Sequence, residues 1–521
     1  MINISLLALI LCGDILVEPF RIAEAEPGHH QGCLRTAMAS DGHFAVAWVD
    51  SLQPLGAWRE LELYIRFFDP DGNPLTDPYK IAKVADTNRI GGSHLDMDSA
   101  GSTVLLWTEY AWMDPNDDLL RLQLFDSSGD PIGSPQTDHQ GYISWDDRAV
   151  AVSLNDQGEF AVVWDGEPIC ARRYSFDGGP QGDPFRVHDD LPDGVDSDYP
   201  GVALNDAGDL VVTWLEFHIS GETYPRFQVF DAADESILPW EPMGHRVDDG
   251  EELYNGNRSE VYWLDNDRFV VFWRDVMTGK PEPSHPVGRV FSDRGLTRHP
   301  IRWLIWEDSL WLLHGGPEGW YSTAVAPNDS FAYTHMRTYF SNPDTSDPSK
   351  DRSWEHGAGI LGYIQDNEPI RWTNLFEYTP DWGADTMTGD FHNRYRTRPP
   401  AVACCNDRIV WVYSRLNTDT IFEAFVIITD WDMGVGVAES PIQTASPIQL
   451  SASLNRLFYD VSGSVTGEAK LTLYSADGRR ILQETIKGEG IWEAPKLPSG
   501  VYFARVEGEA SSKTQKVVLI R

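Results

Sequence analysis

Along most of the chain, apolar and polar residues alternate over five or six positions and then break at an Asp/Asn–Gly dipeptide. Such alternation predicts half-buried strands, and the dipeptides supply the positive-φ residues that tight hairpins need. One pattern recurs: a small-apolar strand, a turn, then an apolar strand ending in Trp. Its copies are AMASDGHFAVAW (to Trp48), LDMDSAGSTVLLW (Trp107), AVSLNDQGEFAVVW (Trp164), GVALNDAGDLVVTW (Trp214) and VYWLDNDRFVVFW (Trp273). A degenerate late copy, AVACCNDRIVWVY, holds Trp411. Successive tryptophans of the first five are 59, 57, 50 and 59 residues apart.

A second hairpin follows the early copies, turning at F-D-x-x-G-x-P, as in YIRFFDPDGNPL and LQLFDSSGDPIG. Segments PFRI, PYKI and PFRV at Pro19, Pro78 and Pro184 open the next unit. Two hairpins per repeat make a four-stranded meander with two apolar faces. Radial stacking buries both faces, which predicts an all-β fold, a β-propeller of seven blades, with six to eight compatible with the spacing. The tryptophans then pack between blades. Residues 300–400 are irregular: IRWLIWEDSLWLLH, TAVAPNDSFAYTHMRTYF and LGYIQDNEPIRWTNLFEY each read as a hairpin.

Charge divides the chain. Its 521 residues carry 41 Lys+Arg and 80 Asp+Glu, a formal net of −39. Residues 440–521 hold 10 basic and 8 acidic residues, so the first 439 carry 31 and 72. Such an excess of acid excludes a nucleic-acid-binding surface and adhesion to anionic lipid. Residues 1–14, with the apolar run Ile2–Leu11, read as a signal peptide without its basic n-region; a first propeller strand is the alternative. No stretch, this one included, is long and apolar enough for a membrane helix. The propeller is placed at 15–437, a Ser/Pro/Thr-rich linker at 438–450 and a small β-sandwich at 451–521.

The tail carries LTLYSADGRRILQ, LPSGVYFARVEG and KVVLIR in order. It resembles the C-terminal sorting domain of the type IX (Por) secretion system, an Ig-like sandwich. The matching residues are Tyr474, Asp477, Gly478, Arg479, Gly500, Val501, Tyr502, Phe503, Lys516 and Arg521; Ser475 and Ala476 depart slightly from the pattern. The resemblance covers about 75 residues. It implies engagement of a bacterial secretion machinery and delivery to the outer cell surface or medium. The propeller repeat resembles those of secreted bacterial propeller proteins, which implies no particular activity.

Chemistry is harder to read. No GxSxG, P-loop, GxGxxG or HExxH occurs, and the cysteines lack zinc spacing. The sialidase Asp-box places Trp three positions after Gly, whereas Trp48 lies six after Gly42. The turn DPDGN offers Asp69, Asp71 and Asn73 as oxygen ligands for Ca²⁺, although hairpin geometry alone favours the same residues. Within 311–397, Trp354, Glu355, His356, Trp382, Asp390, His392 and Arg394 sit among glycines and prolines as loop residues. Tryptophans stack on sugars, and Asp, His and Arg orient hydroxyls. The expectation is an exported binding module for glycan or another surface polymer. The alternatives are a secreted glycoside hydrolase or lyase, with Glu355 and Asp390 as its carboxyls, and a protein-interaction scaffold.

Overall fold

The computed structural model describes residues 15–52, 59–84, 88–111, 114–144, 149–177, 179–248, 256–275, 285–299, 302–303, 321–341, 352–364, 371–377, 400–416, 421–431, 449–453, 456–460, 468–475, 479–487, 489–493, 497, 500–507 and 512–519. They are all-β, with two single-turn 3-10 segments at Pro115–Asp117 and Asp293–Gly295. The chain forms two compact units, Met1–Met433 and Gly434–Arg521.

The first unit contains seven antiparallel sheets among the described residues. The first runs His29–Met38, Phe44–Leu52, Arg59–Phe68 and Tyr79–Val84, each strand paired to the next. The second (Asn88–Met97 to Pro131–Gln140), third (Val150–Leu154 to Gly179–Arg186) and fourth (Val195–Leu204 to His245–Arg246) repeat that order. So do the fifth (Gly256–Trp263 to Thr297–Arg298, with Arg302–Trp303 added) and the sixth (Tyr321–Val325 to Arg371–Glu377). The seventh joins Ala401–Cys404, Ile409–Leu416 and Phe422–Thr429 to the N-terminal strand Ile15–Arg21. The first strands of the seven sheets contact one another in cyclic order, seventh against first, closing a β-propeller ring. In the irregular region, TAVAPNDSFAYTHMRTYF and LGYIQDNEPIRWTNLFEY pair within one sheet, the sixth. Most of IRWLIWEDSLWLLH lies outside the described residues.

The second strand of each sheet is covered on both faces, which is why FAVAW, VLLW and FAVVW are apolar without interruption. Each repeat tryptophan packs on the preceding sheet. Trp107 joins Ala45, Ala47, Leu63 and Ile65, Trp214 joins Ala151, Ala161 and Val163, and Trp411 joins Ala332 and Leu361 of the sixth sheet. Trp48, the first of the ring, packs on Val410, Val412 and Ala424 of the last sheet. All six are at most 2% exposed. Replacing Trp214 by Ala is expected to cost about 3–5 kcal/mol, the range for emptying a large aromatic site that cannot collapse. An unchanged urea midpoint for this variant would refute the interlocking role.

Recurrent turns join the strands. Asp69 Oδ1 accepts from the Asp71 and Asn73 N–H groups at 3.0 and 2.8 Å, and Asp69 Oδ2 from Asn73 Nδ2 at 2.9 Å. Asp126 and Asp231 do the same for their own backbone two and four residues on. Gly72 takes φ +78° in this turn, and Asp234 takes +63° at the corresponding place after Asp231.

The second unit holds two sheets, one of Gln449–Ser453, Arg456–Asp460 and Glu489–Glu493, the other of Arg480–Lys487, Glu468–Ser475, Gly500–Glu507 and Ser512–Leu519. Its core is Ala469, Leu471, Leu473, Ile486, Trp492, Tyr502, Ala504 and Val506.

Candidate functional site

The first strand of a propeller sheet uses one edge for its own sheet and turns the other to the axis. The seven such strands here enclose a cavity of about 370 Å³. Its walls are stapled from sheet to sheet by side chains. Arg35 Nε donates to the Ser93 carbonyl (2.6 Å), and Asp96 Oδ2 accepts from Leu154 N (2.7 Å). Ser153 Oγ accepts from Leu204 N (3.1 Å), and Trp263 Nε1 donates to the Ala203 carbonyl (3.0 Å). Glu260 Oε2 accepts from Thr323 N (2.7 Å) and Thr323 Oγ1 (2.5 Å). These bonds satisfy strand edges that no neighbouring strand covers. Burial pushes the Asp96 carboxyl up to about 7 against the two backbone N–H groups it accepts from.

At the far end of the second strands stands a set of acids, just beyond the tryptophans: Asp50, Glu109, Asp165 and Glu216. All four have a basic or donor partner, that of Asp165 being the Glu167 N–H at 3.5 Å. Asp50 Oδ1 lies 2.9 Å from His29 Nδ1. Glu109 Oε1 accepts from Trp107 Nε1 at 3.0 Å. Glu216 takes Arg226 Nε at 2.6 Å and the His218 ring. Burial raises Asp50 to about 6 despite His29, with Glu26 and Glu62 adding to the shift.

Asp165 is different. It is 3% exposed, and its side chain hydrogen-bonds a second carboxyl, Asp198, from the first strand of the next sheet. Burial, then the Asp198 charge and the shared hydrogen bond, push Asp165 up to about 9, with Asp196 contributing. The backbone builds this encounter. Pairing of Val195–Leu204 with its neighbour slips between Asp198 and Gly201, where Tyr199 takes φ +56°. Tyr199 N donates to Asp198 Oδ1 at 2.7 Å, and Tyr199 and Pro200 line the cavity. Asp198 thus immediately precedes a cavity-lining residue, although neither carboxyl is among the residues that line the cavity. One shared proton makes it a carboxylic acid at neutral pH and a single anion. Hydrogen-bonded carboxyls are closer than the roughly 5 Å that a two-carboxylate glycosidase requires, so the pair does not form that constellation.

Of the residues singled out in sequence, Trp354, Glu355 and His356 lie on the strand Arg352–Tyr363, in register with Tyr339, Thr338 and Arg337. This corrects their reading as loop residues: RSWEHGAG belongs to one of two paired twelve-residue strands, and its Gly and His content imitated a loop. Trp382, Asp390, His392 and Arg394 fall outside the described residues. Asp69, Asp71 and Asn73 form the turn described above, in which hydrogen bonds to Asp69 outweigh slight burial and hold its carboxyl below the usual range. No group of three His, Cys, Asp or Glu is placed to hold a metal among the described residues. The acids beyond the tryptophans were missed, although the copies spell W-V-D, W-T-E, W-D and W-L-E.

No protein-family profile matches the chain, and no curated protein matches it in sequence. Solved structures are similar at low identity. A protein of unknown function from Dyadobacter fermentans is 10% identical, with TM-score 0.44, covering 79% of this chain and 99% of that one. An ulvan lyase of polysaccharide lyase family PL25 is 9% identical, with TM-score 0.45, covering 76% and 93%. Trypanosoma rangeli sialidase in complex with the inhibitor DANA is 10% identical, with TM-score 0.42, covering 98% and 88%. The architecture rests on the strand pairing and not on these likenesses.

Proposed function

We propose that the chain is a seven-bladed β-propeller serving as a binding module for a neutral, hydroxyl-rich glycan, carried to a bacterial cell surface or medium by its tail. The observation that carries the ligand class is the excess of 72 acidic over 31 basic residues before residue 440. Carboxylates accept hydrogen bonds from sugar hydroxyls and repel sulfates and uronates. The acids at the ends of the second strands add nothing to this, because Asp50, Asp165 and Glu216 are buried and bonded to protein partners.

The tail reading draws support from strand pairing. Ser475 pairs with Tyr502, and Phe503 with Lys516, so the sequence motifs meet on one sheet. Ser475 N donates to the Arg479 carbonyl at 2.9 Å, which holds these two motif-flanking residues together. We read the unit as the Ig-like sorting domain of a type IX route.

A polysaccharide-degrading enzyme is the second reading, favoured by carboxyls that burial keeps protonated near neutral pH, Asp96 in the cavity wall and Asp165 behind it. The test mixes the full chain with neutral and acidic polysaccharides, with and without Ca²⁺, and follows polymer size and co-elution. Co-elution with intact neutral polymer is the expected result. Shortened polymer would make the protein an enzyme, and absence of both effects would leave the protein-scaffold reading.

A further inference from the structure

The repeat tryptophans are buried, but Trp240 is 43% exposed. It arises from an interruption of the fold's regular pattern. In the fourth sheet the outermost strand shrinks to His245–Arg246, because residues 239–244 loop out between it and the Phe230–Ser236 bridge. The loop reads Pro-Trp-Glu-Pro-Met-Gly, so two prolines restrict the backbone on either side of the ring.

Hydrogen bonds fix what the prolines leave free. Trp240 Nε1 donates to Asp189 Oδ2 at 3.2 Å, and Asp189 N donates to the Pro242 carbonyl at 3.0 Å. Gly244 N donates to the Glu241 carbonyl at 2.8 Å. The His245 ring joins the Pro239 carbonyl at 3.0 Å and Glu241 Oε1 at 3.2 Å. The indole N–H is thus committed, and what the ring offers a ligand is its apolar face. An aromatic face held in place beforehand binds with little loss of side-chain freedom.

From this geometry we infer that Trp240 is a stacking platform for a pyranose ring of a neutral polysaccharide, on the outer edge of the fourth sheet. The inference rests on the glycan reading above and gives it a site. A sugar presents axial C–H groups to an aromatic face and hydroxyls around its rim. Here Asp189 and Glu241 stand beside the indole as hydroxyl acceptors, and the same carboxylates disfavour an anionic sugar. The location suits a polymer. A cavity of about 370 Å³ admits only a short piece of chain, whereas the outer strand of a sheet is open to a strand of any length.

The experiment uses the full chain in native affinity gels containing galactomannan, xyloglucan, laminarin or dextran. Wild type is expected to be retarded by at least one. Trp240→Ala is expected to weaken that retardation about tenfold, the upper end for one aromatic contact, and Trp240→Phe to keep most of it. Trp240→Gln, a polar replacement suited to an exposed position, is expected to behave like the Ala variant and guards against misfolding, which a melting curve of each variant monitors. Wild-type retardation with folded Trp240→Ala and Trp240→Gln unaffected overturns the platform and leaves the glycan reading standing. Retardation of wild type by none of the polymers overturns both.

Discussion

A chain lacking residues 1–22 is expected to lose several kcal/mol of stability relative to one that starts at residue 15, and to self-associate. The reason is the pairing of Ile15–Arg21 with Phe422–Thr429, which ties the first residues of the ring to its last sheet. Ile15 stands opposite Thr429, and Arg21 opposite Phe425. Next to this strand Ile22 is fully buried, donates its N–H to the Ala424 carbonyl at 3.1 Å and accepts from Arg66 Nη1 at 2.7 Å. Phe20 lies against Phe68, with ring centroids 5.7 Å apart. Removing the segment deletes these contacts and bares the edge of Phe422–Thr429. That edge carries Val426 and Ile428, and an unpaired hydrophobic edge recruits another copy. For a domain of this size, a loss of several kcal/mol lowers the melting midpoint by roughly 5 °C. Calorimetry and light scattering read both effects, and a synthetic peptide of residues 12–24 added to the truncated protein is expected to restore part of the midpoint. Equal midpoints for the two chains would show that the ring holds without its closing strand.

The parts of this structure that sequence revealed are those governed by local chemistry repeated many times. Trp48, Trp107, Trp164, Trp214, Trp273 and Trp411 were legible because each ends an apolar strand after a turn with Asp or Asn, and the turn's own hydrogen bonds require those residues. The region 300–400 resisted because its strands are longer and its turn signals weaker. Arg352–Tyr363 contains three glycines, a composition that mimics a loop, and only pairing with Ser330–Ser341 makes it a strand. The Asp165–Asp198 encounter was illegible for another reason. It joins the end of one strand to a slipped position in the next sheet, and no local pattern announces that Asp198 will meet a carboxyl and not a base. Trp240 was hidden by its neighbours: in a chain with 20 tryptophans, an exposed one looks like the rest until burial is known.

Replacing Asp165 by Asn is expected to make the protein more stable at alkaline pH and to leave it unchanged near pH 4. In the folded chain Asp165 holds its proton up to about 9, through burial and the Asp198 charge. In the unfolded chain an aspartate releases its proton near 4. Between those values unfolding releases a proton, so the contribution of Asp165 to stability is fully present below pH about 4 and declines as pH rises through about 9. An Asn side chain still donates an N–H to the Asp198 carboxylate but has no proton to lose. The variant's advantage over wild type is therefore expected to grow with pH, reaching on the order of 3–5 kcal/mol at pH 8. Asp96 and Asp50, raised by burial to about 7 and about 6, slope the same way but are present in both proteins and cancel in the difference. Glu62 slopes oppositely: against partial burial, hydrogen bonds from Lys80, Tyr64 and Lys83 hold it down to about 2, so its contribution is lost only as pH falls below the usual carboxylate range. Urea midpoints of both proteins from pH 4 to 9 decide the matter. Parallel curves would mean that Asp165 is ionised in the fold, and that it and Asp198 share no proton. The enzyme reading would then lose Asp165 as a protonated carboxyl and rest on Asp96 among the acids described around the cavity.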